Sequence, residues 1–273
     1  MSYIWIKDKK IFFEVEGEGK PIILLNGIMM STKSWQPFVN SFKANNQLIR
    51  VDFFDQGQSD LRVGESYTHQ IQVDVVDALI SHLNLEKVSI VGISYGGEIA
   101  IQYTIQHKEK VDRLVLFNTA AYTNPWLKDI GRAWIAAGRT RDGEAYYNTA
   151  IPVIYSPIHY ETNKTWMDNR KKVLVPVFSD PTFLDKVERL TLSSESFDVK
   201  DQLHRIEAET LIVAAEEDYL TPVANQVYLA ERIKHAHLIK IPGAGHASMY
   251  EKPMLFTSLC LGFINTQDNQ FNI

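Results

Sequence analysis

Among 273 residues there is a single cysteine, Cys260. One thiol cannot close an intrachain disulfide, and it excludes a metal cluster built on thiolates. Long apolar runs are also missing. No stretch approaches the roughly 18 to 20 residues that cross a bilayer, so no membrane span is expected. The N-terminal MSYIWIKDKK has no basic segment followed by an apolar one, so no signal peptide is read and a cytoplasmic location is expected. Positive charge is scarce: 28 Lys and Arg stand against 33 Asp and Glu, for a net charge of −5. Phosphate backbones require a basic face, and no Lys/Arg cluster with interleaved aromatics supplies one, so nucleic acid is not expected as a partner. His235 and His237 could share a strand face, but no third ligand is in view and no metal site is expected. What remains is a globular composition, 45% hydrophobic and 22% charged, long enough for one large α/β domain with an insertion.

The first half alternates short apolar runs with amphipathic segments. YIWIK and IFFEVE, separated by DKK, read as a hairpin. PIILLN, QLIRVDFF, KVSIVGI and DRLVLFN read as strands buried on both faces. Between them WQPFVNSFKANN, HQIQVDVVDALISHLN and YGGEIAIQYTIQH read as helices; the second places Ile71, Val75, Val76, Leu79, Ile80 and Leu83 on one face. Such alternation predicts parallel βαβ units. From Ala121 to Val199 the rhythm stops. That stretch is helix-like, interrupted by Pro125, Pro152, Pro157, Pro176 and Pro181, and rich in large aromatics. Strands resume at TLIVAAEED and AHLIKIPGAGH. The expected organisation is a core of residues 1–120 and 200–273 with residues 121–199 inserted as a helical lid, since so long a bare loop is uncommon.

The segment SIVGISYGGEIA carries the chemistry. It runs from a strand through Gly92-x-Ser94-x-Gly96 into a helix. Alone, Gly-x-Ser-x-Gly is weak, arising by chance in about one chain in ten of this length. The strand before and helix after give it weight, because a tight strand-to-helix turn can present a serine above a helix N-terminus. A serine hydroxyl needs a base to take its proton. Asp218 follows one later strand and His246 the next, so Ser94, Asp218 and His246 all fall at the C-terminal ends of strands, the ligand-binding edge of a parallel sheet.

Taken with LLNGIMMSTKSW and VDFFDQGQSD, these pieces resemble the α/β-hydrolase superfamily, in its branch of esterases and lactonases with a helical cap, over about residues 3 to 265. The resemblance implies a mostly parallel twisted sheet with helices on both faces and an inserted helical cap. It implies Ser94 as nucleophile, His246 as general base and then acid, and Asp218 as the orienting carboxylate, with Glu216 and Glu217 as competitors for that last place. It also implies an oxyanion hole from the backbone N–H groups of Ile28 and Tyr95. Where the common pattern has His-Gly, this chain has Asn26-Gly27, as do the acyltransferases that build the lipid part of rhamnolipids. Asp55, Gln56, Gly57 and Ser59 are read as bracing the site. A serine at position 94 disfavours the dehalogenases and epoxide hydrolases of this fold, whose nucleophile is Asp.

The implied activity is cofactor-free hydrolysis of a small to medium carboxylic ester, or a lactone. Acyl transfer and C–C bond hydrolysis use the same triad and stay open, as does a binding or sensor protein, which would not need all three groups. Aromatic and thioether side chains suit an acyl or aryl pocket, and Met29, Trp126, Trp134 and Tyr155 are the candidates to line it.

Overall fold

Ile22–Leu25 is apolar throughout and Val88–Ile93 nearly so, and every position of both runs is buried, so each strand must be covered on both faces. The computed structural model, which describes residues 2–266, does this with one sheet of eight strands. They are β1 (Ser2–Ile6), β2 (Lys9–Glu16), β3 (Lys20–Leu25), β4 (Asn46–Val51), β5 (Val88–Ile93), β6 (Val111–Phe117), β7 (Glu209–Ala215) and β8 (Ala236–Ile241). Their order is β1-β2-β4-β3-β5-β6-β7-β8; β1 and β2 are antiparallel to their neighbours and the remainder are parallel. This is the sheet the resemblance implied.

Alternate side chains divide into two layers. Ile23, Leu25, Ile90, Leu114 and Ile212 pack under α2 (Gln70–His82), α3 (Tyr95–Gln106) and α9 (Val223–Ala230). Ile22, Leu24, Val91, Val115 and Val213 pack against the short α1 (Val39–Phe42) and against α11 (Pro253–Asn265). On that second face Phe256 lies 5.0 Å from Phe38 and 4.9 Å from Phe117, centroid to centroid. Each such side chain contributes about 1.5 to 3 kcal/mol on burial. One helix differs from expectation. WQPFVNSFKANN forms a 3₁₀ segment over Thr32–Phe38 and only four residues of α-helix; Pro37, which has no N–H to give to an i→i−4 bond, sits inside the 3₁₀ part.

Between β6 and β7 lie five helices, α4 (Pro125–Arg139), α5 (Gly143–Ala150), α6 (Pro157–Thr162), α7 (Lys164–Phe178) and α8 (Pro181–Ser194). Three of the prolines that interrupt this stretch are helix starts: Pro125, Pro157 and Pro181 each occupy the first position, where a missing N–H costs nothing. Asn124, Ser156 and Asp180 cap those same helices by accepting backbone N–H groups. The helices share an apolar cluster built on Trp134, Tyr146, Tyr147, Phe178, Leu184 and Val187. The two ends of the stretch are tied by Thr123 N–H to Phe197 O, 2.9 Å, and Val199 N–H to Ala121 O, 2.9 Å. Four-residue α10 (Ser248–Glu251) precedes α11. Among the described residues no helix is long and apolar enough to cross a membrane.

Candidate active site

The register of the parallel strands brings several loops to one edge. Gly92 pairs with Leu25, Ile93 with Phe117, Phe117 with Val213, and Ala215 with Ile241. The loops that follow therefore start side by side, and they carry Ile28, Ser94, Asn118, Asp218 and His246.

Ser94 joins β5 to α3 with φ 53° and ψ −121°, a backbone region rarely occupied by any residue with a Cβ. Its surroundings hold it there. Ser94 N–H donates to Phe117 O at 3.0 Å, and Ser94 O accepts from Thr119 Oγ1 at 2.8 Å and from Gly97 N–H at 2.8 Å. The turn closes against β3 so tightly that a Cβ on Gly96 would lie 2.3 Å from Leu25 O. The Ser94 side chain is half-buried and lines a cavity.

His246 lines the same cavity. Its Nδ1 is 2.8 Å from Asp218 Oδ2, with both side chains almost wholly shielded from solvent. Asp218 also accepts from Leu220 N–H (2.8 Å), Thr221 N–H (2.9 Å) and Thr221 Oγ1 (2.8 Å). Four donors on two oxygens suit a carboxylate, which can only accept, so Nδ1 carries the imidazole hydrogen and Nε2 keeps its lone pair. Of the rival carboxylates, Glu216 is exposed, and neither it nor Glu217 forms a hydrogen bond or ion pair with His246. Asn118, at φ 47° and fully buried, had no marker in the sequence beyond following a strand. Its Nδ2 donates to His246 O at 2.8 Å and its Oδ1 accepts from Ala215 N–H at 3.1 Å, locking the histidine loop to the end of β7. Ser94 Oγ makes no hydrogen bond to another described residue.

Ile28 faces the cavity from the loop after β3, and its N–H has no acceptor among the described residues. Tyr95 opens α3, where the N–H has no intrahelical acceptor; its side chain is buried, with the hydroxyl 2.8 Å from Ser193 Oγ. Asn26, standing in the His position of the common pattern, is fully buried and shapes this loop. Its Nδ2 donates to Val51 O (2.8 Å) and Gln56 Oε1 (2.9 Å), and its Oδ1 accepts from Trp35 Nε1 (2.6 Å). Gln56 Nε2 in turn donates to Gly27 O at 2.9 Å.

The cavity has two chambers that meet at Ser94, His246, Ile28 and Trp134. The larger, about 160 Å³, is mostly apolar, walled by Met29, Met30, Leu174, Phe178, Phe183 and Tyr155. The smaller, about 50 Å³, reaches past Tyr95 to Glu98 and to α4 and α8. Met29, Trp134 and Tyr155, three of the expected pocket residues, line the larger chamber. Trp126 does not. It follows Pro125 on the first turn of α4, is 59% exposed, and donates its indole N–H to Tyr219 O at 3.1 Å, outside both chambers. Two cavity residues went unread. Arg170, in the charged run DNRKK, passes for a solvated helix face, yet it lines the larger chamber; its guanidinium lies 5.1 Å over the Tyr250 ring and pairs with no carboxylate among the described residues. Glu98 is 5% exposed and sits beside the equally buried His69. Desolvation pushes Glu98 well above the usual carboxylate range and His69 down to about 3, so burial favours the uncharged form of each.

Comparison with known proteins agrees with this architecture. The family described as alpha/beta hydrolase fold matches residues 20–151. The crystal structure of MGS-M2, an alpha/beta hydrolase enzyme from a Medee basin deep-sea metagenome library, is 47% identical, with a TM-score of 0.97 and 100% of both chains covered. AB hydrolase superfamily protein YisY of Bacillus subtilis is 29% identical, covering 94% of this chain and 96% of its own. A putative carbamate hydrolase, RutD, of Azorhizobium caulinodans is 26% identical, covering 98% of this chain and 100% of its own.

Proposed function

The chain belongs to the α/β-hydrolase superfamily, and from that premise we propose that it is a serine hydrolase that cleaves carboxylic esters through an acyl-enzyme on Ser94. The observation that carries this reading is the 2.8 Å Asp218–His246 pair facing the same cavity as a serine held at φ 53°. With Nδ1–H committed to Asp218, Nε2 of His246 takes the Ser94 proton as Oγ attacks the ester carbonyl. The oxyanion forms beneath the N–H groups of Ile28 and Tyr95, and the N-terminus of α3 adds a favourable field. The imidazolium then protonates the departing alcohol, and a water activated by the same Nε2 releases the acid.

Residues 121–199 serve as the cap. Their aromatic and aliphatic side chains supply most of the larger chamber's outer wall, which keeps bulk water from the acyl-enzyme. Arg170 supports a narrower substrate class. A guanidinium on an apolar wall with no carboxylate partner among the described residues fits a substrate that ends in a carboxylate, whether the bond cut is an ester or a C–C bond beside a carbonyl. The name of the RutD relative adds carbamates, whose carbonyl is attacked in the same way.

The test is hydrolysis of p-nitrophenyl esters across acyl lengths, with a phenyl carbamate alongside. Ser94→Ala should reduce turnover by about 10⁴-fold or more while the melting temperature holds. A fluorophosphonate probe should label wild type at Ser94 and fail to label His246→Ala. Activity that persists without Ser94 would reject the reading.

A further inference from the structure

We propose that the smaller chamber is a subsite for a short, neutral, hydroxyl-bearing arm of the substrate, and that Glu98 is the residue that recognises it. The proposal rests on Ser94 as the nucleophile, because the chamber is defined by opening onto Ser94 and His246.

Glu98 is one helical turn beyond Ser94 on α3 and lines this chamber. Its carboxyl makes no hydrogen bond to another described residue. His69 Nε2 lies 3.3 Å from Glu98 Oε2 but out of hydrogen-bond alignment, and neither ring nitrogen of His69 has a hydrogen-bond partner among the described residues. A shielded carboxyl left unpaired beside a nucleophile costs stability that a partner arriving with the substrate would restore. The His69 ring packs against the Tyr95 and Phe197 rings, at 4.7 and 4.8 Å, and this packing restricts its turning toward Glu98.

The walls specify the partner. A protonated carboxyl offers one donor and one acceptor. Across from it, Thr123 Oγ1 already donates to Ser194 O (2.6 Å) and Thr191 Oγ1 to Val187 O (2.8 Å), so both hydroxyls have only lone pairs left to offer. A group that both donates and accepts completes this set, and a hydroxyl does so. Lys128 and Glu195, one of each sign, stand on the chamber's wall, so no net field favours an ion. About 50 Å³ holds roughly two to four heavy atoms. The substrate is therefore asymmetric about its carbonyl, with a long apolar arm in the larger chamber and a short polar arm beside Glu98.

Two matched ester pairs test this, each with a hexyl-type arm for the larger chamber: propyl against 2-hydroxyethyl hexanoate, and hexyl propanoate against hexyl hydroxyacetate. Wild type should prefer the hydroxyl-bearing member of one pair by about tenfold in kcat/KM. Glu98→Leu should bring that ratio to about one, and Glu98→Gln, whose amide still donates and accepts, should keep most of it. The ratio is internal to each preparation, so partial loss of folded protein does not alter it. Should Glu98→Leu fail to fold, Thr191→Val on the opposite wall should lower the same ratio. A ratio near one in wild type for both pairs, or an unchanged ratio in Glu98→Leu or, in its place, Thr191→Val, would overturn the proposal. If neither pair is hydrolysed, Ser94 as an ester nucleophile fails, and the chamber is judged by binding alone. Saturation-transfer NMR should then show propane-1,2-diol binding in preference to propan-1-ol, with the preference lost in Glu98→Leu or, if that variant does not fold, in Thr191→Val; equal binding of both alcohols to wild type would overturn it.

Discussion

Gly96→Ala puts the geometry of the nucleophile turn to a direct test. A Cβ at this position would meet Leu25 O at 2.3 Å, Leu25 C at 2.5 Å and Asn26 O at 2.7 Å, all of them backbone atoms. Contacts under 3.0 Å are essentially never tolerated, so the end of β3 and the helix must part by about 3.0 − 2.3 = 0.7 Å. Neither side yields easily. Leu25 is paired with Gly92 in the sheet, and Asn26 is held by Val51, Gln56 and Trp35. Overpacking of this kind costs about 1 to 3 kcal/mol, which for a domain of this size lowers the melting temperature by roughly 2 to 5 °C. The larger effect should fall on catalysis. Ile28, two residues beyond Asn26, supplies one of the two proposed oxyanion donors, and a displacement of that size misaligns it. Loss of one donor lowers kcat by about 10²- to 10³-fold. Because the oxyanion exists only in the transition state, KM should change little. The assay is p-nitrophenyl ester turnover at 25 °C, well below either melting temperature. Gly262→Ala on α11, where a Cβ meets no atom within 4 Å, serves as the control and should be neutral or stabilising by about 0.5 to 1 kcal/mol. Turnover of Gly96→Ala within threefold of wild type would refute the close packing of elbow against oxyanion loop.

Asp218→Asn should leave an amide N–H facing either the His246 N–H or the backbone donors of Leu220 and Thr221. The expected result is a fall in kcat of about 10⁴ and a loss of about 1 to 3 kcal/mol in urea denaturation. His69 carries a pH signature: burial holds it near 3, against 6.5 when unfolded. Between those values the unfolded chain binds a proton that the fold refuses, so stability falls as pH drops through 6.5. At pH 5 this amounts to about 2 kcal/mol relative to pH 7.5, and His69→Phe should remove it. Glu98, raised by the same burial, acts in the opposite sense, so the comparison is variant against wild type at each pH. Arg170→Gln should raise KM about tenfold for an ester whose acyl arm ends in a carboxylate and leave its neutral methyl ester little changed; equal effects on both would reject an anion-binding role.

The sheet could be read from the chain because strands buried on both faces are dominated by apolar residues, with few exceptions such as Arg50, Ser89 and Thr210, and amphipathic helices separate most of the parallel ones. The placement of Ser94, Asp218 and His246 was legible for a related reason: each follows a parallel strand, and parallel strands deliver their C-terminal ends to one edge. The misread parts depend on facts that local pattern does not contain. Pro37 turned an apparent helix into a 3₁₀ segment. Trp126 is aromatic and in the right stretch, but its place on the first turn of α4 points it outward. Arg170 and Glu98 look like ordinary helix charges, and only the packing of α7 and α3 around a cavity gives them a role.

The inserted helices are fastened to the core at the chemistry itself. Glu251 accepts Ser156 N–H (3.0 Å), Ser156 Oγ (2.5 Å) and Gly245 N–H (3.2 Å), joining the start of α6 to the residue before His246. The approach is close enough that a Cβ on Gly245 would lie 2.5 Å from Ser156 N, and Ala247 N–H donates to Ile154 O at 3.0 Å. On the other side, Arg189 of α8 pairs with the buried Asp55 at 2.6 Å, in the loop whose Gln56 braces Gly27. A shift of these helices would therefore pull on both the loop that carries His246 and the loop that carries Gly27 and Ile28. Side chains facing the chambers from α4, α7 and α8 make none of these bonds, so the choice of substrate can change there while Ser94, His246 and Asp218 stay in register.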